Sequence, residues 1–240
     1  FLLEQRFTPL NDVARAYVLY REDRARERAK LKQKSAAEVA AETLYVVDNG
    51  QRVPLDMARL SALIESSCSG LGNTVDVSLI LKATIKDLYD GVPLDEVRKS
   101  VILSARVLIE KDPAYSYVTA RLLLNNMRYE VLGEEVSQQM MQAQYKDYFP
   151  AFIKRGIEAD LLDERLAQFD LTRLAEVLDA ARDLQFDYLG LQTLYDRYFL
   201  HIKENRIELP QAFFMRVAMG LALNEIDREA RAIEFYHVLS

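Results

Sequence analysis

Few side chains in this sequence could do chemistry, and each stands in surroundings that favour packing. Glu234-Phe235-Tyr236-His237 has the Glu-x-x-His spacing that sets two metal ligands on one helix face. Such a centre needs a second copy of the motif and further carboxylates. The other histidine, His201, has Tyr198 where the matching glutamate would stand, so both histidines read as structural. Cys68 is the single cysteine; it lies near a helix end between serines, with no neighbouring cation to lower its pKa. It reads as a half-buried structural thiol. One cysteine and two histidines also exclude an internal disulfide and a Cys-rich or His-dominated metal centre. Gly70-Leu71-Gly72-Asn73 lacks the Gly-Lys-Ser/Thr of a phosphate loop and does not join a strand to a helix, so it reads as a helix stop. The 13 tyrosines fall at helical spacing beside Leu and Val and count toward the core. No catalytic and no metal-ligating residue is assigned.

The elements that would position these groups are mostly helical. Hydrophobic residues make 50% of the 240, charged residues 28%, and there are only 8 Gly and 6 Pro, as a helix-rich globular chain requires. Residues 10–42 read as one long helix or two joined ones. Leu44-Tyr45-Val46-Val47, then Asp48-Asn49-Gly50, then Arg52-Val53 predict a tight β-hairpin, because Asn and Gly accept positive φ. Asp56 caps a helix over 57–68. Helices follow over 75–89, 95–111 (capped by Asp95) and 114–131, with Tyr89-Asp90-Gly91-Val92-Pro93 as a turn. After a boundary at Gly133-Glu134-Glu135, helices are expected over 137–155, 158–163, 171–184, 188–203, 209–223 and 227–239. In the 188–203 segment Leu191, Leu194, Tyr195, Tyr198, Phe199 and Ile202 form one apolar face. Pro210 suits the first turn of its helix. Ala14-Arg15 and Ala120-Arg121, 106 residues apart, hint at a duplicated unit of about that length.

Charge is uneven. Residues 21–34 carry seven basic and three acidic residues; residues 134–240 carry 19 acidic and 12 basic. The basic run is one helix with interleaved acids, which reads as a solvated face and not a nucleic-acid site. Uninterrupted apolar runs are as short as Val101-Ile102-Leu103, so no membrane span is expected. A single unpaired cysteine suits a reducing cytoplasm. The chain opens Phe1-Leu2-Leu3 without an initiator Met and reads as a piece of a longer protein.

Two stretches go further. Leu191-Gln192-Thr193-Leu194-Tyr195-Asp196-Arg197-Tyr198-Phe199, then Arg206 to Ala218, then Glu229 to Tyr236, closely resemble the all-helical region before the catalytic barrel of class I ribonucleoside-diphosphate reductase large (α) subunits. Residues 44–133 resemble an ATP-cone, the regulatory domain at the N-terminus of that subunit. The hairpin at Asn49-Gly50, the Tyr89-Asp90-Gly91 turn and the helix ending Met127-Arg128 carry that likeness. Residues 10–24 resemble the last helix of a preceding cone. The resemblance implies a mainly α fold in three parts: 1–43 the end of a first cone with a linker, 44–133 a second cone of one small hairpin plus four helices, and 134–240 the helical domain that precedes a ten-stranded α/β barrel. It implies radical reduction of ribonucleoside diphosphates at barrel cysteines, none of which matches a position here. It also implies a small (β) subunit with a diiron or dimanganese centre that supplies the radical, self-association into dimers or larger oligomers, and ATP and dATP as effectors.

The cone departs from its pattern. The family's basic strand pair reads Val46 and Val47, the polar residue at the helix start reads Pro54, and the helix Lys reads Met57. The hydroxyl after the Asp90-Gly91 turn reads Leu94, and a Lys late in the last helix reads Tyr129. Only Arg98 keeps a basic group. A triphosphate needs clustered cations, so this cone is expected to be degenerate, to bind no ATP or dATP, and to act as a spacer or interface. Effector control then falls to the preceding cone, outside this sequence. A different class, a scaffold of stacked helix pairs, would show a repeat near ~34 residues; none is found, and the hairpin interrupts it.

Overall fold

A computed structural model of the chain describes residues 44–48 and 50–240. The helix expected over 10–42 with its basic run, the preceding-cone resemblance, the first copy of the Ala-Arg repeat and the Asn49 turn position lie outside the described residues. Strand β1 (Tyr45–Asp48) and β2 (Gln51–Pro54) are neighbours, and β1 also pairs in parallel with β3 (Val92–Pro93), Val46 opposite Val92 and Val47 opposite Pro93. The sequence places 89–93 in a turn; the structure makes its last two residues a strand. Pro93 is tolerated because β3 lies at the sheet edge, where a missing N–H breaks no ladder.

Helix α1 (Met57–Cys68) has the expected bounds. The Asp56 carboxylate accepts from Arg59 N at 2.9 Å, and Leu60, Ile64 and Cys68 recur on the buried face. Helix α2 (Val77–Asp87) starts later than predicted because Asp76 caps it through Ser78 N. Helix α3 (Leu94–Val107) follows β3 directly, with Pro93 at the N-cap. Asp95 is therefore not the cap: it sits inside the first turn, where its charge suits the helix dipole and pairs with Arg98. Helix α4 (Ala114–Leu132) is buried on several faces and stops at Gly133 with φ 78°.

Helix α5 (Met141–Glu158) buries Tyr145, Phe149 and Ile153 at fourfold spacing. No helix follows at 158–163. Leu161 N and Leu162 N both turn back to Gly156 O, and Asp160 takes the left-handed region at φ 56°. Helix α6 (Leu171–Val177) covers only half of the expected 171–184; Leu178 is extended and Asp179 caps a separate 3₁₀ turn over 180–185 through Ala181 N. Helix α7 (Tyr188–Arg197) also stops short of 203. Tyr198 N and Phe199 N both return to Leu194 O, and a hairpin of β4 (His201–Ile202) and β5 (Asn205–Arg206) follows, with Lys203 at φ 55°. The expected common face fails there: Leu191 is buried, but Tyr198 points outward at 56% exposure. Helices α8 (Pro210–Ala222) and α9 (Arg228–Leu239) close the fold, Pro210 standing in the first turn. Val46–Ser240 forms one compact unit. Its core runs from Ile64, Ile80 and Val101 through Leu124 and Met127 to Phe149, Leu174, Met215 and Tyr236.

Candidate functional site

The sheet, α1, α3, α4 and residues 135–139 enclose a cleft of about 470 Å³, within the range of small-molecule sites. Its walls are largely aliphatic: Val46, Val53, Leu60, Leu63, Val97 and Leu124 all contribute. Four of the residues singled out in the sequence line it, namely Val46, Pro54, Leu94 and Arg98. Val47 does not, because successive strand residues face opposite sides; it stands opposite Pro93. Met57 opens α1 and is 38% exposed. Tyr129 lies beneath the Arg98 guanidinium, 3.6 Å from ring centroid to carbon. It lines a neighbouring polar cleft of about 550 Å³ with Lys99, Arg155 and Arg206.

Several charged groups in the first cleft already have partners. Glu135 accepts from Arg59 Nε at 2.9 Å and from Arg98 Nη2 at 3.4 Å. Arg98 also donates to Asp95 at 2.9 Å, and its side chain is 10% exposed. From α4, Arg121 reaches the end of α1 and donates to Ser67 O at 3.0 Å and Ser69 O at 2.6 Å, the carbonyls a helix C-terminus leaves open. Burial lowers the Arg121 pKa, and burial raises that of the Cys68 thiol, with Arg121 pulling it back. Cys68 is thus a buried thiol with Arg121 near it, where the sequence reading has a half-buried one with no neighbouring cation.

Arg128 leads out of the cleft into a buried network. It donates to Gln138 Oε1 at 2.5 Å and to Asp183 Oδ2 at 3.3 Å. Asp183 also accepts from Tyr145 Oη at 3.0 Å and Gln211 Nε2 at 2.8 Å, and Tyr236 Oη donates to Gln211 Oε1 at 2.7 Å. Burial raises the Asp183 pKa, against the pull of Arg128. A second connection joins α4 to the β4–β5 hairpin: Glu130 accepts from Tyr195 Oη at 2.7 Å and Arg206 N at 2.8 Å. Burial and Glu130 push the Tyr195 phenol up to about 12.

Sequence reasoning missed Arg59, Arg121 and Glu135. Arg121 and Arg128 were legible in principle: two arginines seven apart on a helix otherwise rich in Leu and Val share one face and need buried partners. Glu135 carried no such signal, since its role depends on how the chain folds back after Gly133. The histidines stay apart from any metal arrangement; Glu234 pairs with Arg231 and His237 lies beside Arg182. Among the described residues no group of three or more His, Cys, Asp or Glu could hold a metal ion, and no helix is long and apolar enough to cross a membrane.

Residues 184–240, which hold α7, the β4–β5 hairpin, α8 and α9, match the family model of the ribonucleotide reductase all-alpha domain. The ribonucleoside-diphosphate reductase subunit alpha of Chlamydia trachomatis is 40% identical over 231 residues, 95% of this chain and 22% of that protein. That of Helicobacter pylori is 34% identical over 194 residues, 80% of this chain and 24% of that protein. The large subunit of Danio rerio is 30% identical over 185 residues, covering 76% and 22%. The chain belongs to the ribonucleoside-diphosphate reductase large-subunit family, and it spans about a fifth of the length of the curated relatives it matches, 22% to 24% in these three.

Proposed function

We propose that this chain is the regulatory and helical N-terminal part of a cytoplasmic large subunit that reduces ribonucleoside diphosphates with a dimetal small subunit as radical donor. Residues 44–133 serve as a degenerate ATP-cone that binds neither ATP nor dATP. Residues 134–240 are the helical domain that supports the catalytic part. ATP and dATP act at a different cone and shift the populations of oligomers for which they have unequal affinity. The observation that carries this reading is the electrostatics of the 470 Å³ cleft. Its strand contributes Val46, and Glu135 occupies Arg59 and Arg98, two of the arginines that line it. A triphosphate brought there would meet a carboxylate and displace ion pairs already made. The cone's role is then mechanical, and α4 is the part that transmits it.

The test is the full-length subunit reconstituted with its small subunit, assayed for deoxyribonucleotide formation. ATP is expected to stimulate and dATP to inhibit, with midpoints unchanged by Arg98→Ala. A dATP midpoint moved about tenfold by that substitution would contradict the proposal.

A further inference from the structure

The cleft between the sheet, α1, α3 and α4 has the volume of a ligand site, about 470 Å³, and its charges are balanced within the protein. Arg59, Arg98, Arg121 and Arg128 line it, together with Asp48, Asp56 and Glu135. Two further carboxylates reach these arginines without lining the cleft: Asp95 pairs with Arg98 and Asp183 with Arg128. Glu135 takes Arg59 and Arg98 together, and Arg121 donates to Ser67 O and Ser69 O at the end of α1. Asp56 accepts from Arg59 N, so its charge sits at the positive end of the α1 dipole. An anion entering here finds no spare cation, and a cation finds four guanidinium groups. Either is fully paired only by taking a partner from a group already matched.

The rest of the wall is aliphatic. Leu60, Val97 and Leu124 are buried, and Val53, Leu63 and Leu94 are half-buried; all six line the cleft. They come from β2, α1, α3 and α4, so apolar surface meets the cleft from four elements. The apolar groups of a guest packed there leave water, which favours binding without any charge.

We propose that this cleft binds one small uncharged apolar molecule, a hydrocarbon or aromatic body with at most a hydroxyl or carbonyl group, packed against those six aliphatic side chains. Net charge of either sign on the guest counts against it. This goes beyond the proposed function, which gives residues 44–133 a mechanical role only.

The experiment titrates the whole chain with N-phenylnaphthylamine, an uncharged apolar fluorophore, and displaces it with decanol, decanoate, decylamine or dATP. One saturable site is expected, with decanol displacing at least about tenfold better than either charged analogue. Affinity for the fluorophore should change less than about twofold between about 0.05 and 0.5 M salt, since no ion pair forms or breaks. Leu94→Trp and Leu63→Trp each fill the cleft with an indole and should each weaken binding at least about tenfold, with a melting curve that stays that of a folded protein. Leu189→Trp changes an apolar side chain that is 73% exposed and does not line the cleft, and it should leave binding as it was. In the unsubstituted chain, the absence of a saturable site, or displacement by decanoate or decylamine as strong as by decanol, would overturn the assignment alone. So would binding unchanged in a folded Leu94→Trp or Leu63→Trp variant, or binding lost in Leu189→Trp. Displacement by dATP as strong as by decanol would overturn both this assignment and the proposed loss of effector binding.

Discussion

At Asp183 burial and charge oppose each other. The carboxylate is fully enclosed and is held by Arg128, Tyr145 and Gln211, yet burial still lifts its pKa above the ordinary range. Glu208, enclosed with Arg216 as its partner, is raised for the same reason. A native pKa above the unfolded one means that the native state holds its proton longer as pH rises. The stability such a group contributes is therefore fullest below the ordinary carboxylate pKa and is lost as pH climbs through the raised value. Asp183→Asn should flatten the decline of stability across that acid window, read from denaturant melts at a series of pH values. An unchanged slope would contradict it. At neutral pH, Arg128→Met should cost about 3–5 kcal/mol, because it strands a buried carboxylate. Lys154→Met, which breaks the Lys154–Glu158 pair at 78% and 64% side-chain exposure, should stay within about 0.5 kcal/mol. Equal losses for the two variants would refute the ranking. Little of this network was legible in the sequence. Asp183 reads there as one more acid in an acidic segment, and only the enclosing helices make it a counter-ion.

Among the elements, helices announced their starts better than their ends. Asp56, Asp76, Asp170, Asp187 and Asp227 each cap a helix through a backbone N–H, a signal carried by one residue and its immediate neighbours. The overextended helices at 171–184 and 188–203 failed because apolar spacing continues beyond their true ends. Leu178 and Phe199 are buried, but by turns that fold back onto the core and not by another helical turn. The parallel partner of β1 was illegible, since a two-residue strand has no period to detect. Gly133 makes a sharper claim. Its φ of 78° ends α4, and a Cβ there would meet nothing within 4 Å. Gly133→Ala should therefore cost about 1 kcal/mol from backbone strain alone, with Gly133→Asn costing less. Gly156 differs: a Cβ would come within 2.5 Å of Leu162 Cδ1. Gly156→Ala should cost about 1–3 kcal/mol by overpacking, and Leu162→Ala in the same chain should recover part of that loss. Chemical denaturation of the two single variants and the double checks both.

In the molecule as a whole, α4 ties the hairpin end to the helical end. It packs against α1 and α3 on one side and α7 on the other, and Arg128 and Glu130 send polar connections into the helices after residue 140. Val46–Ser240 should thus unfold as one cooperative unit. Fluorescence of a reporter near β1 and helical circular dichroism should give coincident transitions; two separated transitions would contradict this. The fold class and the family resemblance were legible because amphipathic helices and the 191–236 segment carry them locally. The cleft's character was only half legible, since Val46, Pro54, Leu94 and Arg98 can be read from the chain but the pairing of Glu135 with Arg59 and Arg98 cannot. The most direct measurement of the central claim is calorimetric titration of the whole chain with dATP in the presence of magnesium. The account predicts no saturable heat at micromolar concentrations. One site of micromolar affinity, lost on Arg98→Ala, would contradict it.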